Sequence, residues 1–313
     1  MVPKKQMNQS SMNMQPDTFT RVKPNHNLDI YHGKDMCGRE ALLLVTTSSP
    51  IVIKSTKSIE VFSGKRKDKR YTLMFSLCDA NYIDIFDCFC NDIINTSMSL
   101  AIEDKNAYLF FANRYKKWME LFEKAPTDIL LPSEIKGLIG EILVLKNILI
   151  PQKGEICAIE AWMGPLSTPQ DFIFEESWME VKTISSSSES IHISSVEQLD
   201  SDNNGQIVVV RLDKSNEVEL KAISLNEIYN EMLLSIQNPV ARSMFEDKLI
   251  GMGYCSNPRY DEFRFSLKKM EIFKVNVGFP KITRKAVDSA ITKVEYDILI
   301  PAIEKFKAEE ICS

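Results

Sequence analysis

The feature that most restricts the fold lies in the second half of the chain. One helical pattern is followed there by several short strand-like runs before the next helix appears. In "PSEIKGLIGEILVLKNILI", Leu138, Ile142, Leu145 and Leu149 fall on one helical face. Ser133 is the expected N-cap, with Glu134 in the first turn where the helix dipole favours negative charge. Strand-like runs follow at 156–162, 171–174, 178–184, 191–194 and 206–213, and helical patterns at about 224–236 and 240–248. This order predicts an α/β (α+β) core, a mixed β-sheet flanked by helices.

The first part of the chain is different. Residues 1–27 are polar, Asn/Gln/Met-rich and aperiodic, and are expected to form a disordered tail. Residues 28–126 read as a β-rich N-terminal domain ending in helices, the second of them over 106–124. "APTDILLPSE" breaks the pattern with two prolines, which places the boundary near residue 126 and the second domain at 127–313. The cations at 65–70 sit between two strand-like runs, as a solvated hairpin loop or a phosphate-contacting one.

Composition excludes several chemistries. With three histidines in the chain, histidine triads and HExxH zinc sites have little to work with. The seven cysteines are scattered without CxxC pairs, as expected of structural thiols in a reduced, cytoplasmic setting. There is no Walker A motif or Rossmann fingerprint, no apolar run long enough to span a bilayer, and no apolar stretch after Lys4 and Lys5 to make a secretory signal. If the chain is catalytic, its carboxylates must do the work. A net charge of −5 means that any nucleic-acid contact is local or supplied by a partner.

The carboxylates worth testing lie in and before "PQDFIFEESWMEVKT". Asp171 opens a hairpin and Glu180 stands on its second strand, so both can reach one cation. Glu180 and Lys182, two apart, share a strand face with Trp178, while Met179 and Val181 point to the core. Lys182 could then orient a water or offset negative charge on a phosphoryl group. Plain charge alternation on an amphipathic strand explains the same letters. Glu141 borders the apolar stripe of the preceding helix, either as a metal-linked acid or in a rim salt bridge to Lys136 or Lys146. Gly137 and Gly140 each cost that helix about 1 kcal/mol relative to alanine, which suggests a close approach by another backbone.

A helical Glu beside glycines, then a strand Asp, then E-x-K resembles the PD-(D/E)XK nuclease superfamily. Here the motif reads "PQD…EVK", with one residue inserted between the proline and Asp171. "GLIGEILVLKNIL", "AIEAWMGPLSTPQDFIF", "MEVKTISSS", "IHISSVEQLD" and "VGFPKITRKAVDSAITKVEYDI" resemble, in this order, an uncharacterised prokaryotic family of PD-(D/E)XK motif proteins from restriction and anti-phage defence loci. The resemblance spans nearly the whole chain after residue 27. It implies a restriction-endonuclease-like fold, with Asp171, Glu180 and Glu141 as metal-binding acids and Lys182 as the catalytic lysine. Gln198 matches a recurrent glutamine that contacts phosphate or a metal-bound water, though a capping or surface residue would look the same.

The activity implied is a Mg2+-dependent DNA endonuclease, with Mn2+ as substitute. Double-stranded DNA, other defence-system subunits and a second copy of the chain are its expected partners. A non-catalytic binding or assembly subunit on the same fold, and an RNA-directed nuclease, are the alternatives. The "SSSS" run at 185–188 reads as a flexible loop or a phosphate donor, and His192 as a supporting polar residue on the Glu180 side of the sheet.

Overall fold

The computed structural model describes residues 19–123, 129–164, 166, 168–201, 203–215 and 221–312. The chain divides into two compact units, the first ending at Asp128 and the second starting at Ile129. Of the expected tail, residues 1–18 lie outside the described residues. The rest is not loose, because Phe19–Arg21 is a strand, β1, paired with β2 (Asp29–Lys34).

The first unit is a five-stranded antiparallel sheet that also contains β3 (Glu40–Thr46), β4 (Ile59–Lys65) and β5 (Tyr71–Leu77), in the order β1-β2-β3-β5-β4. Helices α1 (Ile83–Ser99) and α2 (Asp104–Glu123) bring aromatic rings onto it. Phe75 of β5 lies 5.3 Å from Phe89 and 4.9 Å from Tyr115 between ring centroids. Asp92 ties the two helices together, accepting from the Arg114 guanidinium and, at 2.7 Å, from the Trp118 indole. The loop at 65–70 is the β4–β5 hairpin turn, in which Arg66 and Arg70 both pair with Asp68.

The second unit opens with α3 (Pro132–Val144), which runs on through a π-helical turn, Leu145–Leu149, into α4 (Ile150–Lys153). Leu131, not Ser133, is the N-cap; its N–H donates to the Glu134 carboxylate at 2.7 Å, and Pro132 takes the first helical position where no N–H is needed. Leu138, Ile142, Leu145 and Leu149 are all buried, each contributing about 2 kcal/mol of apolar transfer. The run at 156–162, expected to be a strand, is helix α5 (Glu155–Ala161). Gly154, at φ 79°, supplies the turn that starts it.

The hairpin follows as β6 (Phe172–Ile173) and β7 (Ser177–Ile184), closed by the Phe174 N–H on the Ser177 carbonyl at 2.8 Å. Next come β8 (Ser190–Ile193), β9 (Asn204–Lys214), β10 (Ala222–Ile223), α6 (Leu225–Ser235), α7 (Pro239–Gly251), β11 (Phe265–Val275), β12 (Tyr296–Leu299) and β13 (Lys307–Cys312). The main sheet has the order β10-β11-β9-β7-β6, with β13 also on β11. β7 runs parallel to β9 while the other pairs are antiparallel, so the sheet is mixed, as expected.

β7 is buried on both faces. Met179 and Val181 enter the larger core with Leu138 and Ile142 of α3. Trp178 enters a second core with Ile191, Ile193 and Leu199. β8 leaves the main sheet to pair with β12, and this ribbon carries His192 outward, where its Nδ1 lies 2.9 Å from Asp297. His192 therefore does not support the Glu180 side. The serines at 185–188 form a bonded turn, with Ser186 donating through N–H and hydroxyl to Asp213 and the Arg211 guanidinium donating to the Ser186 and Ser188 carbonyls.

Candidate active site

Three elements deliver the chemistry. α3 carries Glu141, the hairpin brings Asp171 and Glu180 together, and a 3-10 turn after β8, Val196–Gln198, holds Gln198 over Glu180 and Lys182. α3 sits close to β7 because residue 140 is glycine: a Cβ there would lie 1.9 Å from Thr183 Oγ1. Gly137 has no such neighbour.

Each carboxylate has its own partners. Glu141 accepts from the Trp162 indole at 2.7 Å, not from a rim lysine, since Lys146 pairs with Glu231. Asp171 Oδ2 accepts the Val181 N–H at 2.7 Å, which fixes it across the hairpin from the strand of Glu180. Glu180 Oε1 receives the Gln198 amide at 2.7 Å and lies 2.8 Å from Lys182 Nζ. The ammonium also donates to Gln198 Oε1 at 3.0 Å. Among the described residues, Glu180 Oε2 is buried without a hydrogen-bond partner. Glu180 is enclosed, at 2% exposed, while Glu141, Asp171, Lys182 and Gln198 keep part of their surface open.

The three acids are electrostatically crowded. Burial, then the charge of Asp171, pushes Glu141 well above the ordinary carboxylate range, against the Trp162 hydrogen bond. Burial likewise raises Asp171, opposed by the Val181 N–H and by Lys182. Glu180 is pushed up to about 8 by burial and by Asp171. One ammonium does not compensate three crowded carboxylates.

Residues 5–300 match the family described as "Putative PD-(D/E)XK family member, (DUF4420)". The chain belongs to this PD-(D/E)XK family. No curated protein and no solved structure gave a significant match.

A divalent cation fits this PD-(D/E)XK site in its chemistry. The donors are hard carboxylate oxygens of the kind Mg2+ prefers, and the orphaned Glu180 oxygen and the crowded negative charge are what a cation relieves. The expected ligand set is Asp171, Glu180 and Glu141. Among the described residues, no three His, Cys, Asp or Glu side chains stand in a metal-holding arrangement. One oxygen of each acid is held by protein: Glu141 by Trp162, Asp171 by Val181, Glu180 by Gln198 and Lys182.

All five expected side chains thus lie in one neighbourhood, Glu141 and Asp171 through the charges that link them to it and Glu180, Lys182 and Gln198 through direct bonds. Two members were not singled out from the sequence. A buried indole N–H needs an acceptor, so Trp162 was a detectable candidate once α5 was recognised as a helix ending at the site. Gln170, the inserted residue of the motif, gave no local signal.

Proposed function

We propose that this chain is a divalent-metal-dependent DNA endonuclease, with Asp171, Glu180 and Glu141 holding Mg2+ or Mn2+ and Lys182 as the catalytic lysine. The observation that carries this reading is the convergence of three carboxylates from α3 and the hairpin beside one lysine. When bound, the cation would neutralise charge on the scissile phosphate. Lys182, fixed between Glu180 and Gln198, orients the attacking water and offsets charge as it develops on the phosphate oxygens. Glu180 and Gln198 keep the ammonium from swinging into solvent. Hydrolysis leaves 5′-phosphate and 3′-hydroxyl ends in this reading.

A chain of net charge −5 does not hold DNA by its overall field, so other subunits of a cytoplasmic restriction or phage-defence system supply much of the affinity for double-stranded DNA in this reading. A second copy of the chain would supply the second cut.

The same charge, and the acids already engaged by protein donors, favour a second reading as a non-catalytic binding or assembly subunit. A plasmid-nicking assay separates the two, run with and without Mg2+ and with the products of neighbouring genes added. Lys182→Ala and Asp171→Ala are each expected to abolish nicking with the fold intact. Full activity in both purified variants would sink the catalytic assignment, and a chain showing neither nicking nor a Mg2+- or Mn2+-dependent thermal shift is the binding subunit. Cleavage of RNA but not DNA in the same assay would redirect the substrate.

A further inference from the structure

Gln170 occupies the extra place between Pro169 and Asp171. It is 8% exposed, and a buried side-chain amide is costly unless its donors are satisfied. Its Nε2 donates to the main-chain carbonyls of Glu197, at 2.8 Å, and Gln198, at 3.3 Å. Both bonds go to the turn Val196–Gln198, which has no side-chain cap of its own. Thr168 braces Gln170 from behind, its hydroxyl donating to the Gln170 carbonyl at 3.0 Å.

The far side of that turn meets the site. Gln198 Nε2 donates to Glu180 at 2.7 Å, and Gln198 Oε1 accepts from Lys182 Nζ and from the Ser194 N–H, both at 3.0 Å. This set admits one orientation of the amide. Flipping it would aim the NH2 at an ammonium and a backbone N–H, and an oxygen at a carboxylate. The placement of Lys182 and Glu180 therefore depends on where the turn sits. Downstream, the Lys281 ammonium holds the Leu199 carbonyl at 2.8 Å and the Arg284 N–H holds the Asp200 carboxylate at 2.7 Å. Among the described residues, the carbonyls of 197 and 198 are left to Gln170.

We propose that Gln170 is a positioning residue for the Lys182–Glu180 pair, acting through the turn that carries Gln198. The proposal rests on the nuclease reading for its meaning in the reaction. It also accounts for the inserted residue of the motif, since the neighbour of the metal-site aspartate braces the other wall of the same site.

The test uses Gln170→Met, which keeps length and removes the donor, with Gln198→Met as the reference. Hydrogen exchange of the Ser194 amide reports the turn directly, since that N–H bonds Gln198, and it needs no activity. Exchange at Ser194 is expected to rise severalfold in Gln170→Met while the melting temperature stays near wild type. Nicking is expected to fall about tenfold in kcat with KM for plasmid little changed, the size seen when groups behind a catalytic shell are lost. Unchanged Ser194 exchange overturns the proposal, and so does raised exchange with unchanged kcat. A wild-type chain that cuts nothing defeats the nuclease reading instead, and the exchange result still decides whether Gln170 holds the turn. Should Gln170→Met fail to fold, Gln170→Asn, one methylene shorter, gives the same readout.

Discussion

Gly140 and Thr183 touch so closely that no β-carbon fits between them: one built on residue 140 would lie 1.9 Å from the threonine hydroxyl. The contact seats α3 against β7 between Glu141 on one element and Lys182 on the other. Gly140→Ala is expected to destabilise the chain by about 1–3 kcal/mol through overpacking, despite alanine's better helix propensity. Adding Thr183→Ala should recover part of the loss, because it removes the clashing hydroxyl. Urea melts of the two singles and the double check this; simple additivity would show that the contact does not set the spacing.

Among the described residues, the Trp162 indole is the only donor to the Glu141 carboxylate, at 2.7 Å. Phenylalanine would keep the ring contacts with Phe172 and Phe245 and lose the N–H. Trp162→Phe should cost about 1–3 kcal/mol in the wild-type background, the penalty for a buried acceptor left without its donor. In a Glu141→Leu background the same change should be nearly neutral. Equal costs in both backgrounds would mean that the indole contributes by packing alone.

Much of this arrangement was legible in the sequence where periodicity reports burial. The stripe Leu138, Ile142, Leu145 and Leu149 and the alternation through 178–182 both describe the observed faces. The errors arise where tertiary context decides. "EICAIEAW" is β-branched and aromatic enough to read as a strand, yet it is too short to reveal its period and starts from a left-handed glycine. His192 alternates correctly with Ile191 and Ile193, but alternation does not say which sheet the strand joins, and β8 joins β12. Gln170 could not be read at all, because its partners lie in a turn well removed along the chain.

Away from the site, Glu271 gives the second unit an acid-sensitive element. Burial alone would raise its pKa, but hydrogen bonds from Arg211, Lys269 and Lys307 outweigh that and hold it at about 2. A carboxyl lowered by folding contributes stability in full above its ordinary value of 4.5, and that contribution is lost as pH falls toward 2. Melting temperatures followed from neutral pH into acid should therefore drop through this window. Glu271→Gln should be about 3 kcal/mol less stable at neutral pH, as expected on breaking a buried charge cluster, and should show a flatter acid limb. Acid limbs of the same slope in both proteins would remove Glu271 from the account.

The crowding of Glu141, Asp171 and Glu180 makes a prediction with opposite signs under two conditions. Without a divalent cation, Asp171 raises the cost of ionising both Glu141 and Glu180, and Glu180 adds to the cost at Glu141. Asp171→Asn removes that charge, while the amide oxygen can still accept the Val181 N–H that Asp171 now accepts. In EDTA the variant should be more stable than wild type by about 1 kcal/mol, as when a site shaped for function is relieved. With Mg2+ at a hundredfold excess over its dissociation constant, wild type should gain about 2.7 kcal/mol by mass action, and the variant should gain much less. The order of stability should therefore reverse between EDTA and Mg2+. Thermal melts of both proteins under both conditions decide it. A variant that tracks wild type at a constant offset would show that Asp171 does not hold the cation, and one no more stable than wild type in EDTA would show that it does not crowd its neighbours.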